Sequence, residues 1–338
     1  MIQPSSRPIL VVGGAGYVGS HMVKHLVRQG HRVLVADNLS TGFPDAVQEA
    51  GGELIELDLS DATGLDSIFS QQTISAVMHF ASFIQVGESV NDPAKYYQNN
   101  LAATLNLLQA MVRFEVKQFV FSSTAAVYGE PAYLPIDEAH PKAPINPYGQ
   151  SKWMVEQILQ DFDNAYGLRS VCLRYFNAAG ADPEGELGER HQPETHLIPL
   201  VLQAAAGRRS DITVFGRDYD TPDGTCIRDY IHVVDLVKAH DLALGYLNGG
   251  GASTALNLGT GQGHSVQEVI DAARSVTGCQ MPVRDAPRRA GDPPRLVADA
   301  SLAKAVLGWT PEYSDLETMI QHAWAWEQKW PWGPKASK

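Results

Sequence analysis

Residues 8–19 read Pro8-Ile9-Leu10-Val11-Val12-Gly13-Gly14-Ala15-Gly16-Tyr17-Val18-Gly19. The run Ile9–Val12 is apolar and rich in branched side chains, the pattern of a strand buried on both faces. Glycines follow at 13, 16 and 19. An amphipathic segment over 20–29, closed by Gly30, predicts a helix. Strand, glycine turn and helix, in that order, give the motif a physical meaning. Gly13 permits the tight turn, Gly16 lets backbone approach a pyrophosphate, and Gly19 lets the helix pack on the strand. The helix N-terminus then offers unpaired N–H groups to phosphate oxygens.

Working outward, 32–36 predicts a second strand ending in Asp37. An acid there accepts hydrogen bonds from both adenosine ribose hydroxyls and repels a 2′-phosphate, which favours NAD over NADP. Asp37-Asn38 also reads as a turn cap. Further strands are predicted over 53–57, closing on Asp58, over 76–80, and over 118–121, followed by Ser122-Ser123-Thr124. Helical segments lie between them, including a long one over 92–112. Alternating strands and helices specify an α/β, doubly wound parallel sheet of Rossmann type. Ligands of such sheets lie at the carboxyl ends of the strands, here the glycine turn, Asp37, Asp58, Phe80-Ala81 and 122–124.

Tyr148-Gly149-Gln150-Ser151-Lys152 opens a helix predicted to run to about 166. A spacing of four puts phenol and ammonium on one helix face. A tyrosine ionises near pH ~10, and a neighbouring cation lowers that value. The pair reads as a general base for a hydroxyl at neutral pH.

After a strand at 170–173 the character changes. Residues 177–196 are rich in Gly, Pro, Glu and His, as expected of a binding loop at a lobe boundary. The expected division is 1–178 for a dinucleotide-binding domain and 179–338 for a smaller mixed α/β substrate lobe, with 229–260 packing back on the first. The second half is expected to hold helices over 198–207 and 233–247, a strand Ile212–Phe215, and a helix announced by a Ser265-x-x-Glu268 capping box. It also supplies arginines, suited to diphosphate oxygens by their planar fork. Trp324, Trp326 and Trp330 are expected to pack a terminal helix.

The chain has 338 residues, 44% apolar and 19% charged, ordinary for a globular protein with a large core. Its net charge of -12 argues against nucleic acid and anionic membrane as partners. Cys172, Cys226 and Cys279 are far apart, so neither a disulfide framework nor a zinc site is expected, and a reducing cytoplasm fits. Pro4, Arg7 and Pro8 break up the N-terminus, so no signal peptide is expected, and no run has the length of a transmembrane helix.

With these residues placed, the chain resembles the UDP-glucose 4-epimerases (UDP-galactose 4-epimerases) of the extended short-chain dehydrogenase/reductase family. The likeness lies in 13–21, 86–90, 121–129, 146–157, 173–178, 223–234, 286–292 and 298–300 and spans nearly the whole chain. It implies reversible inversion of the hexose C4 through a 4-keto sugar with bound NAD and no metal. Tyr17 and Val18 would sit against the pyrophosphate, Asp37 and Asn38 on the ribose, Asp58 and Leu59 beside the adenine. Phe80, Ala81, Asn99, Ser122 and Phe176 would line the nicotinamide end. Tyr148 would be the acid/base, Thr124 would bond the sugar O4 region, and Lys152 would bind the nicotinamide ribose and lower the tyrosine pKa. Asn177, His196, Leu197, Phe215, Arg228, Tyr230, Arg289, Asp292 and Leu296 fall at UDP-sugar contact positions. A homodimer through helices near 92–112 and 148–166 is also implied.

Some positions depart from the family pattern. Val12 stands where many members have Thr, Ile84 where some have a cofactor-binding Lys, Thr124 where others have Ser, and His196 where some have Asn. Leu296 takes the place of a bulky Tyr in members restricted to glucose and galactose, so UDP-N-acetylglucosamine stays open as a substrate, as does a UDP-pentose. A nucleotide-sugar 4,6-dehydratase would need Asp-Glu after Thr124, where this chain has Ala125-Ala126. A non-catalytic NAD-binding regulator would typically lack Tyr148 or Lys152.

Overall fold

The computed structural model describes residues 7–289 and 292–329. Pro4, Ala290, Gly291 and Trp330 lie outside them. The early strands are β1 (Ile9–Val12), β2 (Val33–Asp37), β3 (Glu53–Glu56), β4 (Ala76–His79), β5 (Gln118–Thr124) and β6 (Arg169–Tyr175). There follow β7 (Asn177–Ala179), β8 (Ile212–Phe215), β9 (Ile227–His232), β10 (Thr254–Leu258), β11 (Gly263–Ser265), β12 (Val283–Ala286) and β13 (Arg295–Leu296). Seven of them make a parallel sheet in the order β10-β6-β5-β4-β1-β2-β3. The order reverses at β1, which pairs with β2 on one side and β4 on the other. Brackets of this kind open a crevice at the carboxyl ends of the strands.

The apolar run of β1 is explained by its two faces. Ile9 and Val11 pack with Met22 and Leu26 of helix Tyr17–Arg28 and with Leu236 and Leu244 of helix Val233–Asn248. Leu10 and Val12 point the other way, against Leu65, Leu107, Met111, Val155 and Leu159. These come from helices Ala62–Gln71, Ala103–Arg113 and Pro147–Tyr166. A strand with period-two side chains has no polar position to spare when both faces are covered.

The helix expected over 92–112 is interrupted. Val86–Asn91 and Pro93–Tyr96 are short helices, Tyr97–Ala102 is a π-helical turn, and regular helix resumes at Ala103. Asp92 ends the first piece and caps the second, its carboxylate accepting the Lys95 N–H at 3.2 Å. Pro93 sits at the first helical position, where its missing N–H costs nothing.

The smaller lobe holds the sheet of β7, β9, β11 and β13 and the pair β8–β12. Its core comprises Ile198, Val201, Leu202, Val269, Ile270, Met319 and Ile320. The Ser265/Glu268 capping box is formed. Trp324 and Trp326 belong to the packing of helix Leu316–Lys329. The chain returns to the large sheet through helix Val233–Asn248 and β10.

Candidate active site

At the turn after β1, Gly13 has φ +79° and donates its N–H to Ala36 O at 2.9 Å. A Cβ there would lie 2.4 Å from Ala81 N, and one at Gly19 would lie 2.1 Å from Gly13 O. Only glycine fits at either place. Gly16 is the N-cap of helix Tyr17–Arg28; among the described residues no side chain caps it, and its first turn has no acid. The first N–H groups of that helix are therefore left for an anion. The Asp37 carboxylate accepts the N–H of Ala15 at 2.9 Å and of Leu39 at 2.8 Å. Burial raises its pKa and these two bonds pull it back. A carboxylate has about four acceptor sites, so two remain for a diol. Asn38 donates to Asp58 at 2.7 Å, and bonds from Ser60 and Asn38 hold that carboxyl below its ordinary value. The Tyr17 hydroxyl donates to Gly180 O at 2.7 Å, which ties the turn to the second half of the chain. These features fit a dinucleotide.

A cavity of about 1080 Å³ runs from this turn across the ends of β1, β4 and β5 to the smaller lobe. Tyr148, Lys152 and Thr124 line its middle, with Phe80, Ala81, Asn99, Ser122 and Phe176 around them. Helix Pro147–Tyr166 starts here because Asn146 accepts the Gly149 N–H at 2.9 Å and Pro147 is its first residue. The phenol–ammonium coupling expected from the Tyr-x-x-x-Lys spacing is not what the fold provides. Lys152 donates to Ser82 Oγ at 2.6 Å and Ser122 O at 2.7 Å, and lies 4.7 Å from the Phe121 ring centre. Burial pulls its pKa down to about 7, against the Glu156 carboxylate. Burial pushes the Tyr148 phenol above its ordinary value, and a hydrogen bond with Thr124 only partly offsets this. The reason is competition: two neutral acceptors from β5 and the loop after β4 claim the ammonium.

In the smaller lobe, Arg228 pairs with Asp292 and also donates to Ile227 O at 2.8 Å. Arg289 stacks over Phe215, 3.9 Å from the ring centre. Asn177 donates to Asp229 O at 3.1 Å. Tyr230 is buried, and desolvation raises its pKa. Asn177, His196, Leu197, Arg228, Tyr230, Arg289, Asp292 and Leu296 all line the cavity; Phe215 does not, and serves instead as the platform under Arg289. Leu296, like Trp153 and Phe176, packs against the buried cluster of Ala125, Val127, Tyr128 and Ile136. Ile84 lies at the rim, 38% exposed.

Residues 9–259 match the model of the NAD dependent epimerase/dehydratase family. This chain belongs to that family. A UDP-glucose 4-epimerase of Halalkalibacterium halodurans is 52% identical over 325 residues, which is 96% of this chain and 97% of that protein. The crystal structure of UDP-glucose 4-epimerase from Brucella ovis in complex with NAD is 51% identical, with a TM-score of 0.92 over 94% of this chain and 98% of that one. That of the Bifidobacterium longum enzyme in complex with NAD+ and UDP is 40% identical, with a TM-score of 0.90 over 95% and 98%.

Behind Tyr148 and Lys152 lies a buried network that sequence reasoning missed. Arg174 donates to Glu156 at 3.0 Å and to Tyr128 OH at 2.9 Å, and Tyr128 donates to Asn257 at 2.6 Å. Ser123 also donates to Glu156. Glu156 is one turn beyond Lys152, so the network fixes helix Pro147–Tyr166 against β5 and β6. Asn100, in the π-helical turn, accepts from Phe83 N at 2.9 Å and donates to Ser151 at 3.2 Å. The signal available in the sequence was a charge on the inward face of each element, Glu156 on the helix and Arg174 on the strand.

Proposed function

We propose that this protein interconverts UDP-glucose and UDP-galactose by inverting C4 of the hexose through a 4-keto sugar, with NAD retained between turnovers. The observation that supports this most is one continuous cavity with a dinucleotide cradle at one end, two arginines at the other, and Tyr148 with Thr124 between them. NAD, when bound, supplies reversible oxidation at the sugar carbon. Tyr148 takes the proton from O4 and returns it after the sugar has turned over its link to the diphosphate. Thr124 orients the O4 region and hydrogen-bonds the phenol. Lys152 would hold the nicotinamide ribose. Asp37, Asn38, Asp58 and Leu59 would hold the adenosine; Gly13, Gly16, Tyr17, Val18 and Gly19 would hold the pyrophosphate; Phe80, Ala81, Asn99, Ser122 and Phe176 would bound the nicotinamide. Arg228 and Arg289 grip the diphosphate by charge-assisted bonds, which leaves the hexose free to rotate.

The division at 178/179 into a dinucleotide-binding and a sugar-nucleotide part, a homodimer through residues 92–112 and 148–166, and a cytoplasmic setting belong to the same proposal. Among the described residues no helix is long and apolar enough to cross a membrane.

The test is an NMR time course of purified protein with UDP-galactose and no added NAD, with UDP-N-acetylgalactosamine and UDP-xylose in parallel tubes. UDP-glucose is expected to appear, fastest of the three products. No conversion even after adding NAD would defeat the proposal. Light scattering at micromolar concentration tests the dimer.

A further inference from the structure

The loop between β7 and helix Leu197–Ala205 carries two Glu-x-His pairs, Glu189-Arg190-His191 and Glu194-Thr195-His196. In the fold the four side chains converge. One donor atom from each of Glu189, His191, Glu194 and His196 lies within 4.8 Å of all the others. His191 Nδ1 is 3.4 Å from Glu189 Oε1 and 3.4 Å from Glu194 Oε2. His196 Nδ1 is 2.8 Å from Glu189 Oε1 and 3.2 Å from Glu194 Oε1.

By distance these contacts are histidine–carboxylate ion pairs. Both Nδ1 atoms and Glu194 Oε2 are buried, and none has a hydrogen-bond partner among the described residues. Two imidazoles and two carboxylates this close together can also serve as donors around a common centre. Ligands about 2.0–2.1 Å from a tetrahedral zinc ion stand roughly 3.3 Å apart, in line with the spacing found. The supporting bonds fit too. Glu194 Oε1 accepts the N–H of Thr195 at 2.7 Å and of His196 at 2.8 Å, which fixes the carboxylate and leaves Oε2 directed into the cluster. The Glu189 carbonyl is held by Trp326 Nε1 at 3.2 Å.

We propose that Glu189, His191, Glu194 and His196 form a closed, four-coordinate site for a divalent transition-metal ion, zinc being the best match to two imidazoles and two carboxylates. With all four positions taken by protein, its work is structural. The loop lies against the first half of the chain, where Arg190 is bidentate to Asp45 at 3.0 and 2.8 Å. The ion would pin the wall of the cavity that carries His196 and Leu197, and hold the His196 ring where it borders the sugar-nucleotide path. Protons compete with the metal for the same atoms. Imidazole and carboxylate ligands must be deprotonated to hold a metal, so binding would depend on pH. The site stands whether or not the proposed epimerisation is correct.

The full chain, purified without an immobilised metal, is treated with chelator, checked by circular dichroism, and titrated with Zn2+ against a chromophoric chelator. One equivalent per chain is expected, and Co2+ in its place should give the intense visible bands of a four-coordinate ion. His191→Ala and Glu194→Gln should each weaken Zn2+ binding by at least about a hundredfold, since losing only an outer-shell partner costs about 10–100-fold. If a variant misfolds, the wild-type stoichiometry and cobalt spectrum decide. Wild-type protein that binds Zn2+ no more tightly than the folded variants, or that gives the pale spectrum of six-coordinate cobalt, would overturn the site.

Discussion

At the β1 end of the cavity the grip is made by backbone: the turn of Gly13 to Gly19 and the open first turn of helix Tyr17–Arg28. At the far end it is made by side chains that meet from distant parts of the chain, Arg228 with Asp292 and Arg289 over Phe215. Backbone donors are fixed once the strand and helix are packed, so they suit a cofactor that stays. Arginine forks pay side-chain entropy on each binding event and let go again, which suits a substrate that must leave. Tyr148, the proposed acid/base, stands between a rigid grip and an adjustable one.

Four experiments bear on that contrast. The largest effect belongs to the boundary itself: Tyr148→Phe should lower turnover about 10²–10⁴-fold while bound NAD is unchanged. Near-normal turnover by the variant would remove Tyr148 from the chemistry, and loss of NAD would show that the two grips are not separate. Next, Gly19→Val should lose most of its bound NAD, because its Cβ would sit 2.1 Å from Gly13 O. Gly87→Ala, where a Cβ meets nothing within 4 Å, should keep it; equal NAD content in both would refute the backbone account. Third, Arg228→Ala should raise KM for the UDP-sugar about 10–100-fold, the loss of a charged hydrogen bond, with NAD content untouched. A fall in kcat at constant KM would mean that Arg228 acts on the reaction step.

The smallest effect concerns Lys152 and pH. Its pKa is about 7 in the fold, lowered by burial, against an ordinary value of 10.5. Below pH about 7 both folded and unfolded chains hold the proton, and the fold bears the full cost of a buried ammonium. Between about 7 and 10.5 the unfolded chain keeps a proton the folded one has released, so stability rises with pH. Lys152→Met, in protein freed of NAD, should therefore gain most in Tm at pH 6, and the gain should shrink toward pH 10. A difference that is flat or grows with pH contradicts this environment.

Much of the fold was legible because its signals are local. Ile9–Val12 had to be covered on both faces, the glycines had to follow, and Asp37 had to end the next strand; each constraint spans a few residues. The π-helical turn at Tyr97–Ala102 was not legible, because nothing in its periodicity marks a single widened turn that brings Asn99 to the cavity and Asn100 under Phe83. Phe215 lies at a family contact position, yet in the fold it does not line the cavity and its ring lies under Arg289.

The sequence by itself determined the doubly wound sheet, the glycine turn after β1 and most of the residues that line the cavity, since period-two burial, glycine sterics and i, i+4 spacing act over short stretches of chain. Only the tertiary structure decided what those residues touch. Lys152 reaches Ser82, 70 positions away, and Ser122, 30 positions away, rather than the phenol four positions before it. The two Glu-x-His pairs become one cluster only when the loop folds back on itself. Hydrogen-bond and ligand geometry is set within tenths of an ångström by packing between elements, and no local pattern carries that information.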